Sequence, residues 1–195
     1  MKKLTVADIG TLESYEAIRP ALRQAIIEHK SSRRVGLGPN ATLHFEDFMT
    51  MRYQVQEMMR AERLRDSAAI QAEIDAYGPL IPDGSNLKAT FMIEFPDEAE
   101  RRHELGRLVG IEHKIWIRID ELARVYAIAD EDLQRSTEDK TSAVHFLRFE
   151  FTAEMIEAAR QRSPWELGCD HPHYRHRVQP LPENVASSLS RDFEV

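Results

Sequence analysis

Apolar residues recur along this chain with two periods, and the switches between them divide it into helices and strands. Phe48, Met51, Val55, Met58 and Met59 repeat at helical spacing. They predict one apolar face of a helix from about Phe48 to Leu64, capped by Asp47. Leu87, Ala89, Phe91, Ile93 and Phe95 alternate with polar residues, the pattern of a strand buried on one side. The same alternation marks His113 to Ile119, with a hairpin partner at Arg124 to Ala129. It is clearest in Thr141 to Phe151, where Ala143, His145, Leu147, Phe149 and Phe151 share one face and Val144, Phe146, Arg148 and Glu150 the other.

Turn and cap residues complete the outline. Thr5 with Asp8 forms a weak cap pair, and a helix from about Leu12 to Lys30 contains Pro20, which predicts a kink or two pieces. Val35 to Leu37 and Ala41 to Phe45 flank Gly38-Pro39-Asn40 as a hairpin. A helix over Ser67 to Tyr77 stops at Gly78-Pro79. Further helices run from Pro96-Asp97-Glu98 to about Val109 and from Thr152 to about Arg162. Asp130 to Lys140 is a charged stretch expected on the surface. Trp165 to Cys169 reads as a last strand, and the tail from Pro180 to Val195 as a segment packing across another subunit, hence a homodimer. Strands arriving mostly as hairpins, among irregularly spaced helices, predict a single α+β domain over 1–195. Its sheet is mainly antiparallel, with helices on one face and one core.

Composition narrows the function. The 195 residues carry 26 Lys and Arg against 33 Asp and Glu, a net charge of −7, so duplex nucleic acid is not expected as a partner. Lys30, Arg33 and Arg34 are the best candidate for a local basic patch, readable as such or as a cationic helix end complementing its dipole. The single cysteine, Cys169, excludes an intramolecular disulfide, and Met1-Lys2-Lys3-Leu4 leads into polar sequence without a secretory segment. No apolar run reaches bilayer length. These point to a cytoplasmic protein with no membrane partner.

No phosphate loop, dinucleotide fingerprint, nucleophile elbow, zinc-protease helix or Cys-x-x-Cys is present. The densest chemistry is Cys169-Asp170-His171-Pro172-His173-Tyr174-Arg175-His176, three of the chain's eight histidines beside a thiol and a carboxylate. Imidazole, thiolate and carboxylate ligate zinc or iron. In an extended segment His171 and His173 face the same way, and His145 would join them if the last strand lay beside Thr141 to Phe151. The competing interpretation is a solvated loop with a hydrogen-bonded Asp–His pair. Tyr53, Gln56, Glu57 and Arg60 share a helix face, either a pocket wall or a solvated surface with an ion pair. Arg148 is a further ligand-pocket candidate, with Glu94 as a possible partner. The loop Leu80 to Lys88 carries Asp83, Ser85, Asn86 and Lys88, a binding element or a simple Pro-Asp-Gly turn.

At these same blocks the chain resembles an uncharacterised bacterial family, the domain of unknown function numbered 3501. The similarity lies in Arg19-Pro20 through Arg34-Val35, Tyr53 to Met58, Leu80 to Thr90, Val125 to Asp130, Thr141 to Phe149, and Asp170-His171-Pro172 with Tyr174. The resemblance implies no activity or catalytic residue. It does imply context, since similar proteins are often encoded beside rubrerythrin and a cysteine-rich iron–sulfur oxidoreductase. Two expectations follow: a metal- or small-molecule-binding accessory to such a redox system, or an interaction module without chemistry. An enzyme using Glu57 or His145 as base lacks a recognisable nucleophile or cofactor motif.

Overall fold

The structure, a computed structural model, describes residues 3–193; Met1, Lys2, Glu194 and Val195 lie outside them. In chain order the elements are α1 (Val6–Ile9), α2 (Leu12–Ser31), β1 (Arg34–Gly36), β2 (Ala41–Glu46), α3 (Phe48–Glu62), α4 (Ser67–Tyr77), β3 (Asn86–Ile93), α5 (Glu98–Arg107), β4 (Ile115–Ile119), β5 (Val125–Tyr126), β6 (Ile128–Ala129), β7 (Val144–Glu150), α6 (Ala153–Arg160), β8 (Trp165–His171), β9 (Tyr174–Val178) and α7 (Glu183–Ser190). The fold is α+β and every strand pairing is antiparallel. None of the described helices is long and apolar enough to cross a membrane.

Local chemistry accounts for the helix ends. Thr5 and Asp8 form a reciprocal capping box, and Asp47 accepts from Thr50 N at 2.9 Å to open α3. The break expected at Pro20 does not occur. Pro20 lies inside a continuous α2 on its exposed side, where water can satisfy the carbonyl it leaves unpaired.

The strands form two sheets, not the one expected. β1-β2-β3-β7-β6 make the first and β5-β4-β8-β9 the second. The segment read as one strand, Arg124 to Ala129, divides between them. Val125–Tyr126 pairs with β4, Ile128–Ala129 pairs with β7, and the chain crosses at the buried Ala127, whose N–H reaches Ile115 O at 2.9 Å. Strand composition is the same on both sides of the crossing, so the alternation contains no sign of it. Beyond Cys169 the chain makes a further hairpin, β8 to β9. β8 neighbours β4 and β9, so the last strand does not lie beside β7.

Phe45, Phe91, Phe149 and Leu147 from the first sheet and Ile115, Ile117, Trp165 and Leu167 from the second belong to one buried cluster. Gly168 permits its closest contact, because a Cβ there would overlap the Trp116 ring. The tail belongs to this cluster too. Phe193 packs against Phe151 and Trp165, with ring centroids 5.1 and 6.1 Å away. An unanchored tail was the reason for expecting a dimer, and that reason is removed. The expectation of one core needs a second correction. Ile9, Tyr15, Val55, Met59, Ile70 and Ile74 form a smaller cluster among α1 to α4, a satellite to the main core.

Arg33, expected at a solvated helix end, is instead 2% exposed. Its guanidinium donates to Phe45 O (3.1 Å), Glu46 O (3.1 Å) and Ser188 O (3.3 Å) and pairs with Asp192. Removing it leaves a buried carboxylate and several carbonyls unpaired, so Arg33→Ala should cost about 3–5 kcal/mol in urea unfolding. Arg33→Lys should recover only part of that, since an ammonium cannot reproduce the planar fork of donors. Equal stability of the three proteins would show that the cluster is not a structural tie.

Candidate functional site

A polar network lies inside the apolar strand face of β7. His145 is fully buried, and a buried imidazole requires partners for both ring nitrogens. Nδ1 is 2.6 Å from Asp130 Oδ2, and since a carboxylate only accepts, Nδ1 carries the proton. Nε2 is 2.8 Å from Thr141 Oγ1 and 3.1 Å from Ser142 O. On that same side Glu112 Oε2 stands 3.9 Å away.

Four segments bring these groups together. Glu112 is on the short helical turn Ile111–His113 between α5 and β4. Asp130 follows β6 with φ 54°, a left-handed conformation that Asp tolerates better than most side chains. Its N–H bonds Phe146 O at 2.9 Å while its Oδ1 accepts from Phe146 N at 3.1 Å, which locks it over the edge of β7. Ser136 Oγ donates to Glu112 Oε1 at 2.5 Å, and Thr141 Oγ1 lies 3.2 Å from Oε2. Arg135 bonds Asp130 Oδ1 at 3.2 Å and stacks over the Phe146 ring at 4.6 Å. Burial pushes the Glu112 carboxyl up, but hydrogen bonds from Ser136 and the backbone, with the nearby His145 and His113, outweigh it and leave the group below its ordinary value. Among the described residues, Glu112, Asp130 and His145 are the one group of three or more acidic, histidine or cysteine side chains whose ligand atoms lie within 4.8 Å of one another.

The residues singled out from sequence lie elsewhere, except His145. Cys169 and His171 point into the second sheet's buried face, while Asp170 turns outward to Arg124 (2.8 Å) and Tyr126 (2.7 Å). His171 uses both nitrogens, Nε2 toward Val109 O at 3.2 Å and Nδ1 accepting from His173 N at 3.3 Å. Burial pushes the Cys169 thiol up to about 11, so it stays protonated at neutral pH. The strand adjacency on which the convergence of His145 with Asp170, His171 and His173 depended is absent, because β7 and β8 are in different sheets. Arg148 pairs with Glu131 at 2.7 Å and with Glu150, whereas Glu94 accepts from Thr42 at 2.6 Å. Asp83 and Asn86 spend their side chains on their own loop and on Glu150.

The helix-face residues separate as well. Gln56 is buried and donates to Ile9 O at 2.9 Å. Tyr53 is half-buried against the helical cluster, and Arg60 is exposed. Glu57 joins α3 to α2, accepting from Arg19 Nε (2.7 Å) and Nη2 (2.9 Å) and from the Tyr15 hydroxyl.

Reading Asp130 to Lys140 as surface hid Asp130, Arg135 and Ser136. The available signal was His145 itself, whose place on an apolar face demanded a polar partner.

The model of the family described as "Protein of unknown function (DUF3501)" matches residues 3–193. A crystal structure of a novel protein of unknown function from Burkholderia pseudomallei K96243 superposes with a TM-score of 0.93. It is 48% identical, over 99% of this chain and 100% of that one. No curated protein matches the chain.

Hydrogen bonds from Arg19 hold the Glu57 carboxyl at about 2, against the opposing effect of burial and with help from Tyr15. The folded value lies below the ordinary 4.5. The interaction therefore stabilises the protein above pH 4.5 and is lost as pH falls toward about 2. In Glu57→Gln this acid limb of the thermal unfolding profile, followed by circular dichroism, should flatten. An unchanged slope would mean that the tie contributes nothing to the packing of α2 on α3.

Proposed function

The chain belongs to the DUF3501 family, which leaves its chemistry to be read from the site, and we propose that it is a metal-binding accessory protein whose ion sits between Glu112 and His145. One observation carries this. His145 Nε2 faces Glu112 Oε2 at 3.9 Å while Asp130 holds the other ring nitrogen at 2.6 Å. A histidine that ligates a metal donates its second N–H to a carboxylate in this way, which fixes the ring and raises the basicity of the ligating nitrogen.

The dimensions support the assignment. Imidazole and carboxylate ligands each stand roughly 2.0–2.2 Å from zinc, so an ion between Nε2 and Oε2 requires them to close by only a few tenths of an ångström. Thr141 Oγ1 and Ser142 O lie on the same side of the ring and offer further oxygen donors. An imidazole with oxygen ligands and no thiolate suits zinc or iron(II). In this reading Asp130 orients, Glu112 and His145 ligate, and Ser136 holds the Glu112 carboxylate in place. The redox partner implied by the family resemblance, a rubrerythrin or an iron–sulfur oxidoreductase, belongs to the same proposal and rests on that resemblance alone.

Plasma mass spectrometry of untagged protein, with calorimetric titration of zinc and of iron(II) under anaerobic conditions, tests it. Wild type should take up close to one equivalent, Glu112→Gln and His145→Gln should take up none, and Asp130→Asn should bind about 10–100-fold more weakly. If wild type shows no saturable uptake, and the variants differ from it only in melting temperature, the network is structural and the proposal fails.

A further inference from the structure

One concavity shares no residue with the Glu112–His145 site. It is a cavity of about 750 Å³ between the end of α6, the turn into β8 and the start of α7. Its floor is apolar: Trp165 and Leu181 are 1% and 4% exposed. Three arginines, Arg160, Arg162 and Arg191, stand on its walls, and Glu183 is the only acid lining it.

Many arginines elsewhere in the chain are paired with carboxylates, as Arg19, Arg33, Arg118, Arg135 and Arg148 are. Arg160 donates to Phe193 O at 2.9 Å and Arg191 reaches Ser188 Oγ at 3.4 Å. Among the described residues, neither these two nor Arg162 has an acidic partner, although the protein as a whole carries a net charge of −7. Ser163, also on the lining, donates to Asp120 at 3.3 Å.

We propose that this cavity binds a small amphiphilic anion, a carboxylate or phosphate headgroup on an aliphatic or aromatic body. The guanidinium groups recognise the headgroup through charge-assisted hydrogen bonds. The Trp165 and Leu181 floor receives the apolar part, as in ligand sites lined mainly by hydrophobic groups with a few convergent polar ones.

Titration calorimetry with octanoate and octyl phosphate, against octanol and inorganic phosphate as controls, separates the contributions. Both amphiphilic anions should bind saturably, one per chain and more tightly than either control, and the tighter of the two identifies the headgroup. Arg162→Gln combined with Arg191→Gln removes exposed side chains only and should leave the melting temperature unchanged. It should weaken both anions at least about tenfold and leave octanol unaffected. Absence of saturable binding, octanol binding as tightly as octanoate, or an unchanged affinity in the arginine variant would overturn the proposal.

Discussion

Three parts of this protein meet at the buried guanidinium of Arg33. It leaves the C-terminal end of α2, receives the carbonyls of Phe45 and Glu46 at the end of β2, and pairs with Asp192 in the C-terminal segment. Asp47, the N-cap of α3, lies 3.4 Å away and is shared with His29 at 2.6 Å. A buried charge is tolerated only when its hydrogen-bonding capacity is met. The helical layer, the first sheet and the tail must therefore all be in place together. Burial raises the Asp192 carboxyl to about 6 against the pull of Arg33, a measure of how far this corner is removed from water.

The second constraint is the crossing at Ala127. One continuous stretch supplies an edge strand to each sheet, and it ends by setting Asp130 over β7. The loop that follows then folds inward, with Arg135 on Phe146 and Ser136 on Glu112. The polar network around His145 is thus built by the same feature that closes the two sheets on each other. Its parts come from positions 112, 130, 136, 141 and 145, on segments that share no secondary-structure element apart from β7 itself.

Charge is distributed to the same end. Most buried or half-buried ions are matched locally: Glu57 by Arg19, Glu166 by Arg118 and Arg177, Arg148 by Glu131 and Glu150. Two places depart from such local pairing. In one, two carboxylates flank a single imidazole; in the other, three arginines surround an apolar floor. Electrostatic groups held away from their simplest partners are the usual material of binding sites.

Much of the local structure was legible in the sequence because it depends on neighbours a few residues apart. The apolar faces of α3, β3 and β7, the caps at Thr5 and Asp47 and the hairpin at Gly38 follow from periodicity and side-chain-to-backbone hydrogen bonds. The sequence also determined that His145 faces the core. What it could not determine was which strands are neighbours, since pairing across a sheet is settled by long-range packing and alternation is the same in either sheet. Only the tertiary structure decided that Cys169 and His171 belong to a different sheet from His145. The same holds for the inward turn of the charged stretch after Ala129, which brings Asp130 and Ser136 to the network. A carboxylate in a polar run reads as solvated until a buried imidazole is placed within hydrogen-bonding distance of it, and that distance is a property of the fold.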